Sequence, residues 1–501
     1  MKIFLLLISI LYIAIGYADS SEKLTANYFD KIKNNQTKLY AFLLKMPKGG
    51  DLHYHLDGGS YAKNLFSYAS KSNDCIILPA GKVVSCKLKS SIPFKVIKRN
   101  SEKYNKIIQD WSVTDDNNPI KNNLKFYHYF PNTYIARESN RGKILAEIVK
   151  RASSENIYYL ELMINPDEDQ IRSFGLNQKK SIYDFNGFMN DLISNGIQKY
   201  ITKLTTYINS INHVRNTILH CNTSNKKISA CNVTVKYLYQ INRDVNPKAF
   251  FSALLEGFLM VNQNKNFVGI SLVGQENGKF STKYYRLEMR IINFLHEKYP
   301  NVKITLHAGE LSRKIPADIP YIKSHVRDAV DIAHPNRIGH GTDIKYEQHY
   351  QSTLKEMRDH HIAVEVCLTS NQRLLGISGN ESSILTYYHH GIPIVLCTDD
   401  EGILRTNLTK QFEIAVNRYH FSYPELKNIV RNSIYYSFLP GKNLWETNNF
   451  QSVKKICRND FYRRKLQTNQ CKKYLLINQK AQMEWNLEMQ LSQFEKNLKN
   501  T

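Results

Sequence analysis

The stretch that decides the fold runs from residue 302 to residue 310 and reads VKITLHAGE. Apolar side chains occupy every second position, and successive side chains of a β-strand point to opposite faces. His307 therefore lies on the polar face of a predicted strand, opposite Leu306 and close to the strand's carboxyl end. Glu310 follows on a tight Ala-Gly turn that can bring its carboxylate over the end of the strand.

Short runs of the same kind recur along the chain, separated by longer segments with helical periodicity. Strands that alternate with helices predict parallel βα units, and eight such units predict a closed (β/α)8 TIM barrel, an α/β fold. The eight predicted strands are Gly50–His55, Ile157–Met163, Val233–Asn242, Phe267–Val273, Val302–Ala308, Arg337–Gly339, Ala363–Val366 and Ile394–Thr398.

Segments outside this rhythm complete the predicted organisation. Glu22–Lys45 has apolar residues at near-helical spacing and predicts one helix within an N-terminal extension over 19–45. The barrel domain is predicted over 46–440, with a disulfide-bearing insertion after the first strand at about 60–125. The remaining residues, 441–501, predict a helical C-terminal cap.

The N-terminus has the features of a secretory signal. Lys2 gives a positive start, residues 3–15 are apolar, and small residues precede a predicted cleavage after Ala18. The apolar run is too short to span a bilayer comfortably, and no later stretch is long and apolar enough. The sequence therefore predicts a signal peptide over 1–18 and a secreted, extracellular protein without a membrane span.

Composition limits the class of protein. Of the 501 residues, 42% are hydrophobic and 22% are charged, which excludes a fully disordered chain. The net charge of +24 predicts a basic surface, so a polyanion such as a glycosaminoglycan is a candidate partner. A lysine-rich surface without such a partner is the simpler alternative, because no long run of basic residues occurs.

The eight cysteines suit an oxidising compartment. Their short spacings predict three disulfides, Cys75–Cys86, Cys221–Cys231 and Cys457–Cys471. Cys367 and Cys397 occur in apolar, strand-like runs and are predicted to be buried free thiols. Sequons predict a glycoprotein if the host glycosylates exported proteins, and they lie at Asn35, Asn222, Asn232, Asn380 and Asn407.

Titratable residues occur where the predicted strands end, which is the functional edge of such a barrel. His53 and His55 are two apart in the first strand, so both point the same way. His340 lies between two glycines, and Asp399 and Asp400 follow the last apolar strand. Two adjacent carboxylates at such a position require a cation or a hydrogen-bond donor to balance them.

Three strand ends together predict a metal site. A lone His-x-His is more often a pair of surface or core histidines, but here other strand ends contribute further ligands. A set of three imidazoles and one carboxylate suits Zn²⁺ with one position open for water. The predicted cofactor is one Zn²⁺ per chain, and the predicted ligands are His53, His55, His307 and Asp399.

Several motifs resemble the metal-dependent adenosine deaminases. They read MPKGGDLHYHLDG at 46–58, LHAGE at 306–310, RIGHG at 337–341 and CTDD at 397–400. The predicted signal, N-terminal helix and insertion, with VEVCLTSNQ at 364–372, resemble the secreted branch, the adenosine deaminase-related growth factors and extracellular adenosine deaminases. The resemblance covers Leu43–Leu439, with the motifs in the family's order.

The resemblance implies a zinc-dependent hydrolase of purine metabolism that converts adenosine, and 2′-deoxyadenosine, to inosine and ammonia. It implies the same zinc ligands, Glu310 as the proton donor to purine N1, and His340 as the residue that orients and deprotonates the attacking water. For recognition it implies Asp400 at N7, the Gly274 backbone at N3 and Asp57 at the ribose. A homodimer through N-terminal helices is also implied, although the predicted extension is short.

A few positions depart from the family pattern. Ser271 occurs where Asp is usual, Leu368 and Glu401 occur where Pro is common, and the spacing of His55 and Asp57 is that of the intracellular enzymes. These departures keep open a related purine or nucleoside deaminase with a different substrate. A growth-factor-like binding protein on the same scaffold is a further alternative, although no predicted ligand or acid is missing.

Overall fold

The computed structural model describes residues 21–78, 80–166, 168–221, 229–315, 323–463 and 468–499. The predicted signal peptide and the sequon at Asn222 lie outside the described residues. Among the helices that are described, none has the length and apolar character that crossing a membrane requires.

Strands in the described part of the chain form two sheets. They are β1 (Gly49–His55), β2 (Cys75–Ile77), β3 (Lys82–Val84), β4 (Ile92–Pro93), β5 (Ile157–Ile164), β6 (Thr234–Asn242), β7 (Phe267–Val273), β8 (Lys303–Ala308), β9 (Arg337–His340), β10 (Ala363–Val366) and β11 (Ile394–Leu396). The larger sheet has eight strands in the order β1-β5-β6-β7-β8-β9-β10-β11, and neighbours from β6 to β11 are parallel.

The larger sheet closes on itself through a bridge between Tyr54 and Asp399. There the amide of Asp399 donates to the carbonyl of His53 over 2.9 Å, and the amide of His55 donates to the carbonyl of Asp399 over 3.2 Å. The predicted (β/α)8 barrel is confirmed, and each predicted strand occurs in its place. Buried side chains such as Ile304 and Leu306, both 0% exposed, fill the space around the sheet.

Contacts divide the chain into two compact units. The first unit comprises Leu52–Ser154 and Leu160–Asn407. The second unit comprises the described residues up to Asp51, Glu155–Tyr159 and the described residues from Leu408 onward. The boundaries predicted at residues 18, 45 and 440 remain predictions. Helices of the first unit are Ala62–Lys71, Glu102–Asp110, Pro119–Glu138, Arg141–Ser154, Glu168–Leu176, Phe185–Ser194, Gln198–Ile218, Pro247–Gln263, Lys279–Lys298, His325–Asp328, Tyr350–Asp359, Leu368–Leu375 and Ile384–His389.

The insertion after β1 has a small sheet of its own. Its strands are antiparallel in the order β3-β2-β4, and the Cys75–Cys86 disulfide joins β2 to the loop after β3. The disulfides Cys221–Cys231 and Cys457–Cys471 are also present, and Cys367 and Cys397 are buried free thiols. The predicted cysteine pairing is therefore confirmed.

The second unit is largely helical. It contains helical residues 21–32 and the helices Gln36–Lys45, Leu408–Tyr419, Tyr423–Tyr435, Lys455–Arg463, Asn469–Ile477 and Gln479–Lys499. The prediction of one helix over Glu22–Lys45 was wrong, because the helix is interrupted after residue 32 and a second helix begins at Gln36. The side chain of Asn35 accepts from the amide of Lys38 and caps this second helix. Phe42 packs against Phe29 and Phe494, with ring centroids 5.3 and 5.1 Å apart.

Candidate active site

The predicted metal ligands converge at the carboxyl ends of β1, β8 and β11. Nε2 of His55 lies 3.4 Å from Nε2 of His307 and 3.4 Å from Oδ1 of Asp399. Nε2 of His53 lies 3.8 Å from the same carboxylate oxygen. Strand alternation explains this convergence, since His53 and His55 point to the same side of β1.

Second partners fix the orientation of two of these imidazoles. Nδ1 of His53 donates to Oε2 of Glu365 over 2.7 Å, and Nδ1 of His55 donates to Oε1 of Gln240 over 3.1 Å. Because a carboxylate and an amide oxygen only accept, each ring carries its proton on Nδ1 and its lone pair on Nε2. Such outer hydrogen bonds are typical of metal-ligating histidines.

Glu365 belongs to a buried charge network beneath the ligands. Arg337 donates to Oε1 of Glu365 and to Oε2 of Glu161, both over 2.5 Å, and Thr305 donates to Glu365 over 2.8 Å. The side chains of the three charged residues are fully buried. Arg337 therefore holds the pKa of Glu365 at about 2 despite its burial, and the carboxylate stays charged opposite His53.

The protonation states suit a divalent metal. Burial lowers the pKa of His55 to about 4, and burial together with neighbouring imidazoles lowers the pKa of His307 well below its ordinary value. Burial alone would raise the pKa of Asp399, but His340, His53 and His55 lower it to about 2. Neutral imidazoles and a carboxylate are the forms that bind zinc, and these donor atoms fall into overlapping groups no wider than 4.8 Å.

Glu310 and His340 lie beside this donor set. Nε2 of His340 is 3.7 Å from Oε1 of Glu310 and 3.9 Å from Oδ2 of Asp399. Burial raises the pKa of Glu310, while Glu310 and Asp399 raise the pKa of His340 against the effect of its burial. Nδ1 of His340 donates to Oδ1 of Asn371 over 3.0 Å, so Nε2 points toward the site.

The turn that carries Glu310 is held by a second glutamate. The amides of Gly309 and Glu310 donate to the two oxygens of Glu276 over 2.9 and 2.7 Å. His325 donates to Glu276 over 2.6 Å, and Arg243 lies 3.4 Å from it, so the buried charge is compensated. Arg243 and His325 hold the pKa of Glu276 at about 2 although burial opposes this.

The predicted recognition residues lie around the same cavity. Burial and Asp399 raise the pKa of Asp400 well above its ordinary value. A Cβ on Gly58 would lie 1.6 Å from Oδ1 of Asp400, so only glycine fits there. Gly274 has φ +92°, in the left-handed region that favours glycine.

Asp57 lines the cavity but is already paired. Arg141 donates to both of its oxygens over 2.8 Å, and Nη1 of Arg137 lies 2.6 Å from Oδ2. These two arginines lower the pKa of Asp57 although burial opposes them. Sequence reasoning identified neither arginine. Both lie after the predicted insertion, in the helices Pro119–Glu138 and Arg141–Ser154.

A cavity of about 1070 Å³ opens onto these groups. Most predicted site residues line it, whereas His53 and His340 are buried beside it, 0% and 2% exposed. Phe126, Tyr127 and Phe130 contribute an aromatic wall. The cavity therefore combines an aromatic wall with many polar and charged side chains, which suits a polar small molecule that contains an aromatic ring.

Sequence reasoning missed the residues that hold this site together: Glu161, Gln240, Glu276, Arg337 and Glu365. One signal was available for Glu365, because a charged residue inside the apolar strand 363–366 must have a buried partner. The identity of that partner depends on which strands are neighbours, which the local sequence does not contain.

Comparison with known proteins shows which family this chain resembles. The adenosine deaminase family model matches residues 95–447. An adenosine deaminase of Clostridium perfringens is 24% identical over 406 residues, which covers 79% of this chain and 95% of the relative.

Solved structures show the same fold. The N6-mAMP deaminase of Arabidopsis superposes with a TM-score of 0.51 at 20% identity, over 80% of this chain and 96% of that one. A zinc-bound amidohydrolase of Burkholderia ambifaria gives 0.50 at 15% identity, over 80% of this chain and 88% of that one. With the family model covering most of the barrel, the chain belongs to the adenosine deaminase family.

Proposed function

We propose that the protein is a zinc-dependent adenosine deaminase, which hydrolyses adenosine and 2′-deoxyadenosine to inosine and ammonia. The observation that carries the proposal is the proximity of three imidazoles and Asp399 to Glu310, a partly buried acid of raised pKa, on the barrel of a deaminase family.

His53, His55, His307 and Asp399 would hold the metal. When bound, zinc supplies a water molecule acidic enough to react as hydroxide near neutral pH. The tautomers fixed by Glu365 and Gln240 direct two imidazole lone pairs toward that position. The bound zinc of the Burkholderia relative supports this choice of metal.

The proton steps belong to Glu310 and His340. As water oxygen bonds to C6 of the purine, Glu310 gives its proton to N1, since the raised pKa of its carboxyl favours the protonated form that this step needs. His340 orients the water and takes its proton. The amino group gains the proton that His340 took from the water, the C6–N bond breaks and ammonia leaves. The C6 hydroxyl then returns a proton to Glu310, and the product is the 6-oxo purine nucleoside, inosine.

Recognition involves the cavity groups. The raised pKa of Asp400 keeps its carboxyl protonated, so it can donate to the N7 lone pair. The backbone of Gly274 faces N3, and Asp57 contacts the ribose from its arginine pair. A related purine or nucleoside deaminase with a different substrate is the second candidate, since a cavity of about 1070 Å³ lies at the upper end of the ~300–1,000 Å³ usual for small-molecule sites and has room for a larger ligand.

Secretion through the signal peptide, membership of the growth-factor branch, homodimerisation and binding of a glycosaminoglycan are part of the same proposal. Support for secretion comes from residues 1–18 and from three disulfides, which persist in oxidising compartments. The charge of +24 supports a polyanion partner. A binding protein without activity is disfavoured because every predicted ligand and the acid meet in one site.

The test is the ultraviolet assay of adenosine conversion to inosine, with and without a chelator. Conversion that stops with the chelator and returns with Zn²⁺ supports the proposal. A panel of adenine, adenosine, 2′-deoxyadenosine, AMP and N6-methyl-AMP separates the two candidates. No turnover of any of these by zinc-loaded protein would contradict both.

A further inference from the structure

The barrel closes at one seam, between the ends of β11 and β1, and this seam carries three candidate ligands. His53 and His55 lie on one side of it and Asp399 on the other. A single bridge pairs Tyr54 with Asp399, whereas β8 and β9 pair along four residues. Asp399 also has φ +66°, in the left-handed region that residues with side chains adopt uncommonly.

Side chains reinforce the seam where the backbone pairing is short. The hydroxyl of Tyr54 donates to Oε2 of Glu401 over 2.5 Å. Arg151 donates to both oxygens of Glu401, over 2.8 and 2.9 Å, a bidentate pairing that fixes position as well as charge. Tyr54 and Glu401 are 2% and 4% exposed. We call Tyr54, Arg151 and Glu401 the seam cluster.

The seam cluster connects the two ligand-bearing segments. Tyr54 lies between His53 and His55, and Glu401 lies two residues after Asp399. Arg151, from the helix Arg141–Ser154, also donates to the hydroxyl of Tyr54 over 2.9 Å and to the carbonyl of Gly59 over 2.6 Å. Each segment is therefore tied to the other and to a common helix.

We propose that the seam cluster positions the metal ligands. It holds the Asp399 carboxylate close enough to the imidazoles of His53 and His55 for all three to bind one metal ion. The proposal rests on the proposed function in one respect, that this site holds a metal ion. Outer residues that orient ligands typically change metal affinity by ~10–100-fold when they are replaced.

A structural brace for the barrel is the competing explanation, and Glu147 provides the matched control. Its Oε1 accepts from Arg151 over 2.6 Å, and its Oε2 accepts from Ser60 over 2.7 Å. It also accepts from the amide of Tyr61 and the hydroxyl of Tyr68, and none of these four partners is Tyr54 or Glu401. Loss of this carboxylate therefore removes one partner of Arg151 but keeps the hydrogen bonds of Arg151 and Tyr54 to Glu401.

The experiment compares Glu401→Gln and Tyr54→Phe with Glu147→Gln in the full-length protein. Zinc-loaded protein is mixed with a chromogenic chelator, and the rate of zinc release is followed. We expect release ~10–100-fold faster for Glu401→Gln and a smaller increase for Tyr54→Phe, with the control at the wild-type rate. The visible spectrum of cobalt-substituted protein should change for the two seam variants only, because it reports ligand geometry.

Wild-type release and cobalt spectra in both seam variants would overturn the proposal and leave a structural brace. If Glu401→Gln fails to fold, Tyr54→Phe decides alone, since it removes one hydroxyl and keeps the ring. A wild-type protein that binds no zinc would overturn the proposed function together with this inference. A zinc-dependent deaminase whose seam variants keep zinc normally would overturn the inference alone.

Discussion

The ligand side of the site and the acid side are held by different kinds of interaction. On the ligand side, His53 is oriented by Glu365, whose charge is balanced by Arg337 inside the barrel. On the acid side, Glu310 lies on a turn, and Glu276 holds that turn through backbone amides. On the ligand side, charged side chains fix the orientation of an imidazole ring. On the acid side, hydrogen bonds fix the backbone of the turn, and they do not involve the Glu310 carboxyl itself. Metal binding and proton donation should therefore be separable by mutation.

The largest effect is expected at the ligand side. His307→Ala removes a neutral imidazole donor from the centre of the set, so bound zinc should fall from about one per chain to almost none and turnover should be lost. Metal analysis of purified protein measures this. Full deaminase activity in protein that contains no transition metal would contradict the assignment.

On the acid side, Glu310→Gln should lower kcat by ~10²–10⁴-fold, because the amide has no carboxyl proton to give N1. Zinc content and thermal stability should stay at wild-type values, since the side chain is nearly the same shape and is not a proposed ligand. Near-normal turnover with zinc in place would show that another group is the acid.

Glu365→Gln should weaken the ligand side although Glu365 is not itself a proposed metal ligand. Leaving Arg337 with one carboxylate should lower the free energy of unfolding by about 3 kcal/mol, and zinc affinity should fall ~10–100-fold. Glu161→Gln is the matched control, since it weakens the other ion pair of Arg337, whereas the partner of Nδ1 of His53 is Glu365. Equal loss of zinc in both variants would contradict an orienting role for Glu365.

The effect of Glu365→Gln on the free energy of unfolding should depend on pH. The pKa of Glu365, about 2 in the folded protein, is lower than its ordinary value. Its charge therefore stabilises the fold above that ordinary value, and the stabilisation is lost as the pH falls toward 2. The stability gap between wild type and Glu365→Gln should narrow over this acidic range, which denaturant unfolding at several pH values measures. A constant gap would indicate that the charge is not its source.

A smaller effect on kcat is expected at Glu276, which holds the Gly309–Glu310 turn. Glu276→Gln replaces one accepting oxygen by an amide donor, so one backbone contact to the Gly309–Glu310 turn is lost. A hydrogen bond to a charged group contributes about 1.5 kcal/mol, which predicts a kcat about tenfold lower with unchanged zinc content. Glu288→Gln is the control, because burial keeps the Glu288 carboxyl protonated by raising its pKa. A larger effect at Glu288 would contradict this account.

The smallest effect is expected for Asp400→Asn. A protonated carboxyl and an amide can both donate to N7, so KM should rise modestly while kcat and zinc content stay near wild type. Asp400→Ala, which removes the donor, should raise KM further. Steady-state kinetics with adenosine measure both, and loss of zinc in Asp400→Asn would indicate that this residue is a ligand.

The sequence alone determined the strands, the local disulfides and the predicted ligands. Alternation with a period of two is a local property, so it fixed the side of β1 that carries His53 and His55 without knowledge of the rest of the chain. Short loop spacing likewise determined Cys75–Cys86. The break at Asn35 was the local feature that sequence reasoning missed, because helical periodicity continues across the cap.

Only the tertiary structure decided which partners hold those residues. Glu365 reaches His53 across 312 positions of sequence, and Arg151 reaches Glu401 across 250. These pairs form because closure of the barrel sets β1 beside β11 and brings β10 and the helix Arg141–Ser154 within side-chain reach of that junction. A buried charge is in turn stable only beside a compensating one. A local pattern can show that such a charge needs a partner, but the order of the strands selects the partner.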